Sequence, residues 1–214
     1  MTNLKKILFF FLPIIGLVFL LFYFSLKTNN SLFSYSQNKQ NDKTGQILQI
    51  PISVNDPIIG DKKNSDTLIV FADFACSACK NDSLILENLL TNYPNKFKII
   101  WKGLPIAVYP YDSTLAIEYA YCANEQKKFP EFEKYSYTNN SDLSSSTLSQ
   151  IITEINLDQK KFNKCLNEEN KDNYIKINEY YAEMLNIQEI PTYFFNNKQI
   201  TPKDENDWKL ILNL

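Results

Sequence analysis

Apolar and polar positions divide the chain into stretches of distinct character. Ile7 to Leu26 (ILFFFLPIIGLVFLLFYFSL) is a run of twenty residues without a charge. At a helical rise of about 1.5 Å per residue, such a run matches the ~30 Å hydrocarbon core of a bilayer. It predicts one N-terminal transmembrane helix. Residues 27–45 are polar and aperiodic and read as a flexible tether. Gln46 to Val54 (QILQIPISV) alternates apolar and polar positions as a strand does, with Pro51 restricting it to an edge. Asn55 to Ser65 is a turn-rich connection. Thr67 to Phe74 (TLIVFADF) is β-branched, aromatic and bounded by turn residues, the pattern of a buried central strand.

A helix is predicted from Ser77 to Tyr93, because Ile85, Leu86, Leu89, Leu90 and Tyr93 recur on one face and Pro94 stops it. Lys96 to Leu104 (KFKIIWKGL) reads as a second buried strand. Strand, helix and strand predict a right-handed βαβ unit with parallel strands. From Ser113 to Ile187 the spacing is helical throughout, with Ser113 or Thr114 available as the first cap. Strand chemistry returns at Ile190 to Ile200, where Asn196-Asn197 suits a tight hairpin turn. A short helix over Lys203 to Leu212 closes the pattern.

Flanking charge orients the expected span. Lys5 and Lys6 precede it, so residues 1–6 are expected in the cytoplasm and everything after Lys27 outside it. The span ends without a small-residue cleavage pattern, which favours a retained anchor over a cleaved signal peptide. The net charge is −2, with no basic footprint for nucleic acid, and the chain contains no histidine. That absence excludes Ser-His-Asp and Cys-His catalysis and His-ligated metals together.

Export places four cysteines, Cys76, Cys79, Cys122 and Cys165, in a compartment that permits disulfides. Cys76-x-x-Cys79 lies where the strand gives way to the helix. A zinc site needs two further ligands, and the remaining cysteines are isolated. A purely structural bridge across so short a loop constrains the unfolded chain weakly. A redox dithiol remains. A sulfur at Cys76 faces unpaired backbone N–H groups and the positive end of the helix dipole, which favour the reactive thiolate. Cys79, almost a turn deeper, is the resolving partner. Cys122, on a helical face with Leu115 and Tyr119, and Cys165, beside Phe162 and Leu166, read as buried: a disulfide between two helices or two free thiols.

The collinear motifs NDPIIG, TLIVFADFACSACK, AIEYAYCANEQKKFPEF, FNKCL and IPTYFFNNKQI resemble the DsbA-like thiol:disulfide oxidoreductases of the thioredoxin superfamily, over roughly residues 55 to 212. The resemblance implies a thioredoxin-like α/β fold at 46–112 and 188–214, interrupted by an all-helical insertion at 113–187. It implies that Ile190-Pro191 is a cis step facing the dithiol, with Ile190 backbone groups free for an extended client. Related sequences often carry a cysteine pair at the places of Cys122 and Cys165. The family's best-known oxidants have Pro-His between the cysteines, where this chain has Ser77-Ala78. Lys80 is a partial substitute for the missing cation, while Asp73 and Asp82 oppose a thiolate if close. Asp73 is also a candidate proton acceptor for Cys79, or simply a polar strand end.

The resulting expectation is a monomeric, membrane-anchored, exported oxidant of client thiols, weaker than the Pro-His enzymes. It carries no cofactor and is reoxidised by a quinone-linked membrane partner. Alternatives are a reductase or isomerase of the same fold, or a non-catalytic client-binding module.

Overall fold

The computed structural model describes residues 49–107 and 110–214. Their elements alternate from strands to helices and back: β1 (Ile58–Gly60), β2 (Thr67–Ala72), α1 (Ser77–Asn92), β3 (Lys98–Gly103), five helices α2 (Thr114–Glu125), α3 (Phe129–Thr138), α4 (Ser145–Glu154), α5 (Gln159–Leu166) and α6 (Asn170–Met184), then β4 (Thr192–Phe195), β5 (Lys198–Ile200) and α7 (Glu205–Ile211). The expected transmembrane span at 7–26, the tether at 27–45 and the cytoplasmic residues 1–6 lie outside the described residues. Among the described residues, no helix is long and apolar enough to cross a membrane.

The five strands form one sheet in the order β1-β3-β2-β4-β5. β2 and β3 pair in parallel, from Thr67 opposite Lys98 to Ala72 opposite Gly103. This is the βαβ unit that the pattern predicts, with α1 as its crossover. β4 runs antiparallel to β2. It returns as β5 through Asn196 and Asn197, both at positive φ (49° and 65°), the conformation a two-residue turn of this hand demands.

β2 is buried on both faces, which explains its unbroken apolar run. Leu68, Val70 and Ala72 join a large core with Leu86 and Leu89 of α1, Trp101 of β3 and the helices between β3 and β4. Ile69 and Phe71 face the opposite way, into a smaller core with Ile100, Phe194, Ala182 of α6 and Ile50. Trp208 of α7 is 1% exposed and packs edge-on against Tyr193.

Two expectations need correction. The described part of Gln46–Val54 is not a strand; the edge strand is β1, inside the stretch read as turns. Ile50 is buried as an edge strand's residue would be, but its N–H donates to Asn197 Oδ1 at 3.0 Å instead of to a neighbouring strand. Ser113 does occupy the N-cap position of α2, yet makes no side-chain cap. Its hydroxyl donates instead to Asp73 Oδ2 at 2.6 Å.

Candidate active site: the Cys76–Cys79 centre

α1 begins with a cysteine as its cap. Cys76 has extended backbone geometry (φ −83°, ψ 116°), and its Sγ accepts from the Cys79 N–H at 3.0 Å. Sulfur therefore occupies the place an aspartate or serine oxygen usually takes, in the field of the helix N-terminus. Cys76 and Cys79 are joined as a disulfide, with their Cα atoms 5.2 Å apart. Ser77 and Ala78 between them are exposed, Cys76 is half-buried and Cys79 is 3% exposed. The two sulfurs thus differ in access.

The Ile190–Pro191 peptide bond is cis. It sets the Ile190 carbonyl 3.9 Å from Cys76 Sγ. Among the described residues, neither Ile190 backbone group is taken by another backbone group. A half-exposed sulfur and a free backbone edge therefore lie side by side.

The carboxylates near the centre are held by donors. Asp73 is fully buried: Oδ1 accepts from Ala75 N–H at 2.9 Å, and Oδ2 from Ile106 N–H at 2.8 Å, Ala107 N–H at 3.2 Å and the Ser113 hydroxyl. It ties the end of β2 to the loop after β3 and to the start of α2. Three of these four donors fall on Oδ2 and one on Oδ1. Asp82, one turn beyond Cys79 on α1, accepts from Tyr193 Oη at 2.5 Å. That bond ties the dithiol helix to the strand that follows Pro191. Lys80 turns towards α3, with Nζ 3.4 Å from Asn140 Oδ1.

Asp82 lies one turn beyond Cys79 on the dithiol helix, where a negative charge would disfavour the thiolate of the reduced form. Asp82→Asn keeps an acceptor for Tyr193 while removing the charge. We expect it to raise the reduction potential by about 15–30 mV, equivalent to half to one pK unit of thiolate stabilisation. A glutathione redox titration checks this; an unchanged or lower potential contradicts the charge argument.

A second acid, Glu133 of α3, lines a cavity that Cys79 also borders. It is only partly accessible, and burial, aided by the Glu87 charge, pushes it from its ordinary 4.5 up to about 8. A carboxyl raised on folding stabilises the fold while neutral. Its contribution is intact below about pH 4.5 and is lost as the pH climbs through about 8. Glu133→Gln should therefore match the parent at pH 4.5 and exceed it at pH 8.5 by on the order of 2 kcal/mol, after allowance for solvent screening. Parallel melting-temperature profiles for the two proteins would refute this.

Away from the centre, Cys122 of α2 and Cys165 of α5 form a disulfide with Cα atoms 5.8 Å apart. Among the described residues, no group of three or more His, Cys, Asp or Glu side chains is arranged to hold a metal. The structure thus brings Cys76, Cys79, Ile190 and Pro191 together, and leaves Cys122 and Cys165 in the helical core. Sequence reasoning missed Tyr193, and it named Ser113 only as a helix cap, not as a partner of Asp73. Only the position of Tyr193, two residues beyond Pro191, hinted at the first.

Comparison with known proteins agrees with this geometry. The computed fold is similar to a thioredoxin-like oxidoreductase from Silicibacter pomeroyi DSS-3 (TM-score 0.67, 18% identity, 75% of this chain and 91% of that one). It is equally similar to the thiol-disulfide exchange protein alpha-DsbA2 from Wolbachia pipientis (TM-score 0.67, 18% identity, 75% of this chain and 87% of that one). At such identities the likeness is one of fold. A curated relative, the Na(+)/H(+) antiporter NhaA 3 of Salinispora tropica, is 25% identical over 154 residues, or 71% of this chain and 23% of the antiporter. The chain thus spans less than a quarter of the length of the curated relatives it matches. The family model described as thioredoxin matches residues 53–213, which contain both cysteines of the centre and the cis-proline, and this chain belongs to that family.

Proposed function

We propose that the protein is a membrane-anchored, exported thiol:disulfide oxidoreductase that oxidises the thiols of other exported proteins. One observation carries this reading: the Cys76–Cys79 disulfide opens α1 beside the free backbone edge of Ile190. A client thiolate attacks Cys76 Sγ, breaking the Cys76–Cys79 bond and leaving the Cys79 sulfur as the departing thiolate, which then takes a proton. The client's second thiolate attacks the mixed disulfide, forms the client disulfide and releases Cys76 as thiolate. The client loses two electrons and the dithiol gains them. During the exchange an extended client segment pairs with the Ile190 backbone.

Export and anchoring rest on the uncharged run Ile7–Leu26 behind Lys5 and Lys6, and a monomer on the shortness and polarity of residues 27–60. The protein needs a membrane acceptor of quinone-linked type to recover its disulfide. Asp82 one turn beyond Cys79, and Lys80 engaged by Asn140, support a milder oxidant than one with a cation between its cysteines.

The test is trapping. Cys79→Ala, loaded as a mixed disulfide with glutathione and mixed with reduced, unfolded ribonuclease, should accumulate a ribonuclease adduct through Cys76 that dithiothreitol releases. The oxidised parent protein should restore ribonuclease activity. No adduct and no recovered activity would leave a non-catalytic binding module as the better reading.

A further inference from the structure

One end of the sheet gathers three loops. β2 and β3 are parallel, so the dithiol segment after β2 and the loop after β3 leave the same end. β4 is antiparallel to β2, so Ile190 and Pro191, just before it, lie at that end as well. In the strand order β3-β2-β4, the loop after β3 flanks the dithiol on one side and the cis-proline flanks it on the other. Neighbouring strands are about 4.8 Å apart. Ile106, three residues beyond the end of β3, thus lies across Cys76 from Ile190.

Ile106 is held in place yet left uncovered. Its N–H and that of Ala107 donate to Asp73 Oδ2, while the Asp73 carbonyl accepts from the Cys76 N–H at 3.2 Å. One buried residue thus fixes the backbone of Ile106 to the backbone of the reactive cysteine. The Ile106 side chain is nonetheless 58% exposed. Single exposed apolar side chains are ordinary on a protein surface. This one is pinned through a buried carboxylate beside a reactive sulfur, and the dithiol segment next to it, Ala75 to Cys79, carries no charge. An extended client directs alternate side chains to one face, at about 3.3 Å per residue. With its cysteine aimed at Cys76, the residues two places away also face the protein, roughly 6.6 Å to either side. One of them reaches the Ile190 edge, and the other reaches Ile106.

We propose that Ile106 is a specificity-determining residue: it seats an apolar side chain two positions from the client cysteine, on the side away from the Ile190 pairing. The inference rests on the oxidoreductase reading and names the clients that reading favours, extended segments with Leu, Ile, Val or Phe at that position. A client with a polar residue there gains nothing from the contact. Ile106 touches no reacting atom, so it sets which thiols react fast and leaves the exchange at Cys76 unchanged.

Cys79→Ala carrying glutathione on Cys76 provides the test. The thiolate of a short serine peptide with one central cysteine attacks Cys76 Sγ, expels glutathione as its thiolate and stays bound as a mixed disulfide, which mass spectrometry follows in time. Three peptides are compared: serine throughout, leucine two places before the cysteine, and leucine two places after it. At least one leucine peptide should react about tenfold faster than the serine peptide, through the added apolar contact. Ile106→Ser should abolish the advantage on one side only and leave the serine peptide's rate unchanged, while Ile106→Leu should keep it. Melting curves establish that the variants are folded; should Ile106→Ser fail, Ile106→Thr, which keeps the branched shape, makes the same comparison. Equal rates for all three peptides, or an advantage that survives the polar variant, overturns the proposal. So does a serine peptide slowed as much as the leucine one, which would make Ile106 merely structural. If no peptide forms an adduct, the redox reading fails and this inference with it.

Discussion

Replacement of Cys76 by Ser is expected to reduce disulfide transfer to background, a loss of at least about 10³-fold. Cys76 is the accessible sulfur of the pair, it lies beside the Ile190 carbonyl, and a hydroxyl cannot take its place in a disulfide. The expected loss is chemical and not structural. Serine is a favoured N-cap residue, and its Oγ can accept the Cys79 N–H that Sγ now accepts. The variant should therefore melt within a few degrees of the reduced parent. Ribonuclease reoxidation together with a melting curve checks both halves. Activity retained in Cys76→Ser would point to client binding without electron transfer.

The second large effect concerns stability. Replacing Cys122 and Cys165 together by Ala should destabilise the protein by about 4 kcal/mol, because the bridge closes a loop of 43 residues in the unfolded chain. At about 2–4 °C per kcal/mol for a protein of this size, the melting temperature should fall by roughly 8–16 °C. Both cysteines are buried, Cys122 at 0% and Cys165 at 4% exposure, so the double alanine variant also loses some packing. The Cys76–Cys79 potential should not move, since the bridge lies within the helical core and not at the dithiol. Calorimetry under non-reducing conditions reads this; a fall of less than about 2 °C would mean that the bridge does little for the fold.

The legible parts of the fold are those whose pattern and packing agree. β2, α1 and β3 could be read because β2 is buried on both faces and α1 on one, so composition and periodicity both carry the signal. β1 escaped because three residues at an edge, one of them Gly60 at φ 93°, have no period to detect. Ile50 misled for the opposite reason: it is buried like a strand residue, but a side chain takes its backbone N–H. The many asparagines, without functional meaning in the composition, have a structural one. In a chain with 4 glycines, Asn95, Asn156, Asn186 and Asn213 adopt the left-handed conformation just after helix ends, where glycine is the usual choice.

At the site, Cys76 and Cys79 could be named from their local spacing, and the Ile190–Pro191 step from the resemblance to the DsbA-like family. Asp73 could be named but not understood. Its partners Ile106, Ala107 and Ser113 come from a loop and a helix start far along the chain, and two of them act through backbone N–H groups. The Tyr193–Asp82 bond spans 111 positions, and the cavity behind Cys79 needs two helices and a sheet to exist. No one-dimensional pattern encodes such contacts.

The reduction potential of the Cys76–Cys79 couple, read by equilibration against glutathione, tests the central claim most directly. A mild oxidant should fall between about −120 mV, the value of the strongest disulfide oxidants, and about −200 mV. A value near −270 mV or below, in the range of thioredoxin itself, would contradict the account and make the protein a reductant.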